Sequence, residues 1–428
     1  MKTIVRLEGD GGRWRELELE GNKVTQRVEA TDDDDGENST RYDSQKEARE
    51  SFDFLISRYL KNGQREVSRR EEAPKAPVAR KFVDDLESER ACRASLDDVK
   101  PWRIYADWLV ERGDLRGELA SLWLSGKSGD AERFLVRHRD ALLGGHSEND
   151  VYEIECRHGF VHQLSLRRAV VEDLRTAALV ADVLSRPGAR FVDTLKIGAS
   201  FHDRDWTPSL AAVLAAPNAA WLRALTFEDS GEGRGGGFQA TGNLSALWKG
   251  LAQLESLRIA TSNAVNLGEI DHAALRSFTR AGVGLTTVET VAISAAKWPT
   301  LQTLNLTLGY EDDRISSAAS LTVILSSPRP KQLLHLGFPH SELNGALSQL
   351  AHSPWLAGLR TLDLSHGTLG EESVDALVRL APRFSHLERI DLTGNLLRGG
   401  VSAVRQALPN AVLRDQREYD DRYDEAGE

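Results

Sequence analysis

Apolar residues in the C-terminal half of the chain recur in one short block, apolar-x-x-apolar-x-apolar. The clearest copies are Leu359/Leu362/Leu364 and Leu387/Ile390/Leu392, the latter continued by Asn395 and Leu397. Val161/Leu164/Leu166, Val192/Leu195/Ile197, Leu222/Leu225/Phe227, Leu254/Leu257/Ile259, Leu301/Leu304/Leu306 and Leu333/Leu336/Phe338 repeat it, while Leu275/Phe278/Arg280 fits poorly. The block centres fall at 164, 195, 225, 257, 278, 304, 336, 362 and 390, an average spacing close to 28 residues. A block that short reads as a strand, and the spacing leaves room for a helix between strands. Helical stretches are visible at residues 209–214 and 374–380. Pro187, Pro217, Pro328 and Pro354 each precede a strand centre by eight residues. Proline cannot continue a helix, so these four mark equivalent helix ends.

Before residue 70 the pattern changes. Trp14, Leu17 and Leu19, then residues 24–28 after the turn signal Gly21-Asn22, predict a β-hairpin unit over residues 3–28. An acidic loop follows, with Glu29, Asp32, Asp33, Asp34, Asp35 and Glu37. It lacks the alternating ligands, glycine and closing glutamate of a calcium loop and reads as solvated. Ser44 is then the N-cap of a helix with Glu47 three residues on and Ala48, Phe52, Leu55, Ile56 and Tyr59 along one face, stopped by Gly63. A hairpin with an early tryptophan, such a helix and the ending Lys61-Asn62-Gly63 resembles the WGR domain. The Trp-Gly-Arg triplet would fall near Val28-Glu29-Ala30 and is absent. The DNA contact made by some members of that family is therefore not carried over, and the resemblance implies a degenerate structural or docking module.

Residues 81–126 read as helical, with Gly113 ending one helix and another beginning near Arg116. The run Tyr105-Ala106-Asp107-Trp108-Leu109-Val110-Glu111-Arg112-Gly113-Asp114-Leu115-Arg116-Gly117-Glu118 closely resembles the bacterial repeat-companion domain, as does the later His158-Gly159-Phe160-Val161. That family brings no chemistry with it. Asp107, Asp114, Arg116 and Glu118 could form an acid–base set, but a helical corner held by arginine–carboxylate bonds accounts for the same residues. The 28-residue array that follows resembles ribonuclease-inhibitor-type leucine-rich repeats.

The expected fold class is therefore α/β, a leucine-rich-repeat solenoid of strand-helix repeats preceded by a small α+β domain and a helical segment. Its parts are a WGR-like domain at 1–67, a linker at 68–80, a helical repeat-companion domain at 81–157, the solenoid at 158–414 and an acidic tail at 415–428, expected to be disordered. Asparagine stands at the repeat turn only at Asn395, with Ser200, Ser230, Ser262, Gly309, Ser341 and Gly367 at the equivalent places. Fewer side-chain bonds to the turn predict an irregular array, weakest at the short interval before 278.

Charge narrows the function. With 54 Lys and Arg against 65 Asp and Glu, the formal charge is −11, which disfavours nucleic acid and anionic membranes. Two cysteines, Cys92 and Cys156, make no disulfide framework, no stretch is apolar enough to span a membrane and the N-terminus lacks a secretory pattern, so the expected location is cytoplasmic. Cys156, His158 and His162 straddle a strand start and lack a fourth metal ligand. The glycines at 231, 233 and 235–237 lack the Lys-Ser/Thr ending of a phosphate loop. No catalytic residue, metal or cofactor is assigned.

Positions between the inward apolar residues of each strand project from the other face, where Lys196, Thr226, Arg258, Asn305, His335, Asp363, Arg389 and Asp391 form a mixed-charge surface. The expected function is non-catalytic binding of another protein by a scaffold or regulator, including an enzyme held inactive. The alternatives are a nucleic-acid role for the WGR-like domain and an uncharacterised enzyme using Asp107, Asp114 or His158.

Overall fold

The computed structural model describes residues 2–9, 14–28, 37–41, 45–72, 82–144, 152–166, 176–198, 205–228, 241–261, 263–282, 284–308 and 317–418. The chain divides into two units, Met1–Phe82 and Val83–Glu428.

In the N-terminal unit, alternation makes β1 (Lys2–Glu8) bury Thr3, Val5 and Leu7 on one face. Gly21, at φ 60°, turns β2 (Trp14–Glu20) back into β3 (Lys23–Val28). With β4 (Glu37–Arg41) and β5 (Arg65–Glu72) these form an antiparallel sheet of order β4-β3-β2-β1-β5. Helix α1 (Gln45–Lys61) packs Ala48, Phe52 and Ile56 on Val5, Leu7, Leu17, Leu19 and Val24, with Leu55 and Tyr59 against the same core. Each large apolar side chain buried there contributes about 1.5–3 kcal/mol.

The strand β5 moves a boundary, because residues 68–72 of the expected linker pair with β1 up to Lys2↔Glu72. Its mixed charges hid it from the sequence pattern. An edge strand is recruited by backbone hydrogen bonds and need not bury a stripe of side chains. The acidic residues 29–36, Ser44 and the prolines at 74 and 77 lie outside the described residues.

The C-terminal unit begins with α2 (Leu86–Ala94), α3 (Val99–Val110), α4 (Leu115–Leu124) and α5 (Ser128–Leu143). The side chains of Asp85, Asp98 and Asp114 cap the first three by accepting backbone N–H bonds. Trp102, Tyr105, Ala106, Leu109 and Ala120 share one core with Phe160 and Phe191. The helices and the following sheet are thus one packed body, and the sheet begins earlier than expected. Strand β6 (Tyr152–Arg157), placed by sequence in the helical segment, pairs antiparallel with β7 (Phe160–Leu166).

Parallel strands follow: β8 (Thr194–Gly198), β9 (Ala224–Glu228), β11 (Ser256–Ala260), β13 (Ser277–Ala281), β14 (Thr303–Leu306), β15 (His335–Gly337), β16 (Thr361–Asp363), β17 (Arg389–Asp391) and β18 (Ala411–Val412). The short β10 (Gly242–Asn243) and β12 (Val265–Asn266) pair separately. The large sheet runs β18-β17-β16-β15-β14-β13-β11-β9-β8-β7-β6, each strand beside its neighbour in sequence. The chain is thus a mixed α/β protein with a large, mostly parallel sheet.

The nine strand centres read from the sequence are in register, Leu164↔Leu195↔Leu225↔Leu257↔Phe278↔Leu304↔Leu336↔Leu362↔Ile390. All nine are buried, forming a continuous apolar ridge under the sheet. The helices α6 (Thr176–Ser185), α7 (Thr207–Ala215), α10 (Ser317–Leu325) and α11 (Leu347–His352) end just before the four marker prolines. Further crossovers carry α8 (Leu247–Gly250), α9 (Thr287–Ser294), α12 (Val374–Phe384) and α13 (Val401–Ala407). Between β11 and β13 the chain uses β12 in place of a helix, which explains the short interval.

The turn after β17 is held as expected of its asparagine. Asn395 is fully buried, accepts the Leu369 N–H and donates to the carbonyls of Leu364 and Leu392. Ser341 makes a smaller version, accepting the Leu308 N–H and donating to the Pro339 carbonyl. Ser200, Ser230, Ser262 and Gly309 lie outside the described residues.

The start of the acidic tail is ordered, contrary to expectation. The Arg417 guanidinium donates to the carbonyls of Gly394 at 2.7 Å and Gly367 at 2.8 Å, and its N–H to that of Asn395. Gln416 accepts the Leu397 N–H and donates to the Leu392 carbonyl. Residues 419–428 lie outside the described residues.

Candidate interaction face

Strand alternation sends every second side chain away from the helices, and the register aligns these into rows. One row reads Ser165, Lys196, Thr226, Arg258, Thr279, Asn305, Gly337, Asp363, Asp391. The row two residues earlier reads Gln163, Thr194, Ala224, Ser256, Ser277, Thr303, His335, Thr361, Arg389. All eight residues singled out from the sequence therefore share one face. Six are in the first row; His335 and Arg389 stand in the second.

The chemistry concentrates over β14 to β17. His335, Thr361, Leu362, Asp363, Arg389 and Asp391 line a recess of about 270 Å³. His335 Nε2 donates to Asn305 Oδ1 at 2.9 Å, so Nδ1 accepts the Thr361 hydroxyl at 2.5 Å. Burial holds the His335 pKa below its ordinary value, aided by Arg389 and opposed by Asp363, and the imidazole is neutral at pH 7. Burial raises the Asp391 pKa, but bonds from Thr393 and Arg389 outweigh it and keep the carboxylate ionised. Arg389 meets Asp391 at 2.5 Å.

Gly337 makes this network possible. A Cβ there would lie 2.1 Å from Asn305 Oδ1, displacing the group that orients His335.

The sequence reading missed Thr361, which lies in the second row. It also missed a mostly charged row just before the strands, where Asp193, Arg223, Glu255, Arg276, Gln302, Leu334, Arg360 and Glu388 follow one another through backbone bonds. Arg157–Asp193 at 2.7 Å, Arg223–Glu255 at 3.6 Å, Glu255–Arg276 at 3.7 Å and Arg360–Glu388 at 3.7 Å connect parts of it. The signal was available as charge at one fixed position per block, interrupted at Gln302 and Leu334. Apart from the half-buried Arg157–Asp193, these pairs are largely exposed, each contributing about 1 kcal/mol or less.

Asp107, Asp114, Arg116 and Glu118 do not converge on one site. Asp114 and Arg116 are buried together, with Nη2 to Oδ2 at 2.7 Å, and Arg116 also holds Asp84 and the Val83 carbonyl. Asp107 and Glu118 point to solvent. This is the expected corner, tightened by Gly117, where a Cβ would lie 2.6 Å from both Leu109 Cβ and the Val110 nitrogen.

Cys156, His158 and His162 do not converge on a ligand: His158 binds the Leu96 carbonyl and His162 faces Asp193. Burial pushes the Cys92 thiol up to about 12 and the Cys156 thiol up to about 11, far from a reactive thiolate. Among the described residues no group of three or more His, Cys, Asp or Glu could hold a metal, and no helix is long and apolar enough to cross a membrane. The glycine run at 231–237 lies outside the described residues.

No family model and no curated protein matches the chain. Among solved structures it is similar to a crystal structure of a protein from Bacteroides fragilis, with a TM-score of 0.51 and 17% identity over 98% of each chain. At that identity the likeness is one of fold alone.

Proposed function

We propose that this chain is a leucine-rich-repeat protein, with WGR-like and repeat-companion modules before the repeats, that binds another protein through the open strand face of its array and acts as a non-catalytic scaffold or regulator. One observation carries the reading: eight polar and charged residues, chosen from sequence spacing alone, fall in two adjacent rows on a single face. A face of mixed charges suits a protein surface better than a phosphate backbone, which needs uniform positive charge. A partner enzyme held inactive by such a contact is included in the proposal.

The test uses the full chain. Charge reversal at three positions of the face, Lys196→Glu, Arg258→Glu and Asp363→Lys, is compared with wild type after purification from the native cells under mild cross-linking. A stoichiometric protein present with wild type and absent with the variant supports the reading. Recovery of the wild type without a partner, or a partner retained by the variant, overturns it.

A further inference from the structure

Charges of both signs run along the strand face. The first strands carry Lys196 and Arg258 together with the exposed carboxylates of Glu153, Glu155 and Glu228, and the last carry Asp363 and Asp391 with one cation, Arg389. At the recess the count of charges is two carboxylates against one guanidinium, since His335 is neutral.

The two carboxylates are not equivalent. Asp391 is committed: Oδ1 accepts the Thr393 N–H at 3.0 Å and Oδ2 the Arg389 guanidinium. Asp363 Oδ1 accepts the Ser365 N–H at 2.9 Å, and Oδ2 has no hydrogen-bond partner among the described residues. Beside it, the Thr361 hydroxyl gives its proton to His335, so its oxygen faces the recess as an acceptor. The recess thus offers acceptors and an uncompensated negative charge. An ammonium group brings three donors and one positive charge on a narrow stem.

We propose that the recess over β15, β16 and β17 seats a lysine side chain of the protein partner, with Asp363 as its ion partner and Thr361 as a second acceptor. The proposal rests on the binding function above and adds what the partner must present: a basic side chain at this end of the face.

The experiment uses the full-length protein and a fluorescein-labelled alternating lysine–glycine octapeptide at low salt, with the glutamate–glycine peptide as the opposite probe. Asp363→Asn keeps an acceptor for the Ser365 N–H and removes the charge. Asp375→Asn, an exposed carboxylate on α12, controls for the overall negative charge of the protein. The expected result is that Asp363→Asn weakens lysine-peptide binding roughly five- to ten-fold, and that Asp375→Asn changes it by less than about two-fold. The peptide is also expected to shift the His335 ring resonances.

Equal losses in both variants, no loss in Asp363→Asn, or silent His335 resonances overturn the proposal. The native complex separates it from the broader reading. A partner released by Lys196→Glu with Arg258→Glu but indifferent to Asp363→Asn leaves the binding face standing and removes this seat. A partner indifferent to every substitution on the face removes both.

Discussion

Arg280 occupies a strand position whose lateral neighbours are Ile259 and Leu306, both fully buried. It is itself 1% exposed and faces Glu289, which is 0% exposed, with Nε to Oε1 at 2.8 Å. The guanidinium also donates to the carbonyls of Thr261 at 3.0 Å, Asn263 at 2.7 Å and Ala281. Replacing Arg280 with leucine strands a buried carboxylate, a loss of about 3–5 kcal/mol when one partner of a buried pair is removed. It also takes one donor from each of three carbonyl oxygens, although that of Ala281 keeps the Thr261 N–H. Glu289 retains bonds from the Thr286 N–H, the Thr286 hydroxyl and the Val265 N–H, so its carboxylate stays partly hydrogen-bonded. The expected cost is therefore about 3–4 kcal/mol, the lower part of that range. Adding Glu289→Gln to Arg280→Leu neutralises the stranded charge and recovers about 1–2 kcal/mol. Urea unfolding followed by tryptophan fluorescence measures both. A loss below about 1 kcal/mol in the single variant, or no recovery in the double, would refute the reasoning.

Three further outcomes follow from the geometry. Gly117→Ala forces a methyl into the α3–α4 contact and is expected to cost about 1–3 kcal/mol, read as a lowered urea midpoint; an unchanged midpoint means the helices do not touch there. The depressed His335 pKa leaves the unfolded chain binding more protons just below the ordinary value of 6.5, so stability falls as pH drops through 6.5 toward the folded value. Thermal melts between about pH 7.5 and 5 should show a shallower fall for His335→Asn than for wild type, and parallel curves would contradict this. Arg417→Ala removes the side-chain bonds to Gly367 and Gly394 and is expected to cost about 1–2 kcal/mol, with faster amide exchange confined to β17, β18 and the turns beside them; uniform exchange across the sheet would count against it.

The strand centres were legible because each demands an apolar residue at one spacing, and the prolines gave an independent register. Pieces held mainly by backbone bonds were not legible. Strand β5 is a run of charges, and β18 is two residues long, below any periodic signal. Strand β6 does alternate, with Ile154 and Cys156 between charged residues, yet the turn at His158-Gly159 signals a strand start without revealing the hairpin partner before it. At Arg280 the repeat pattern breaks; the folded chain supplies the reason, a carboxylate nine residues later in the capping box of α9. For the face, spacing identified which residues share a side of the sheet. It could not reveal the recess, which depends on how His335, Thr361 and Asn305 bond across three strands.

The two ends of the large sheet are built unlike its middle. At one end β6 runs against the direction of its neighbours, and at the other the two-residue β18 is followed by the Arg417 strap. Between them, every strand presents the same apolar centre to both sides, so a duplicated module spliced into the interior would find matching neighbours. A module appended at either end would meet a reversed strand or a strapped turn. An interior insertion therefore preserves both flanking contacts, whereas an added end unit must replace the reversed strand or the strap.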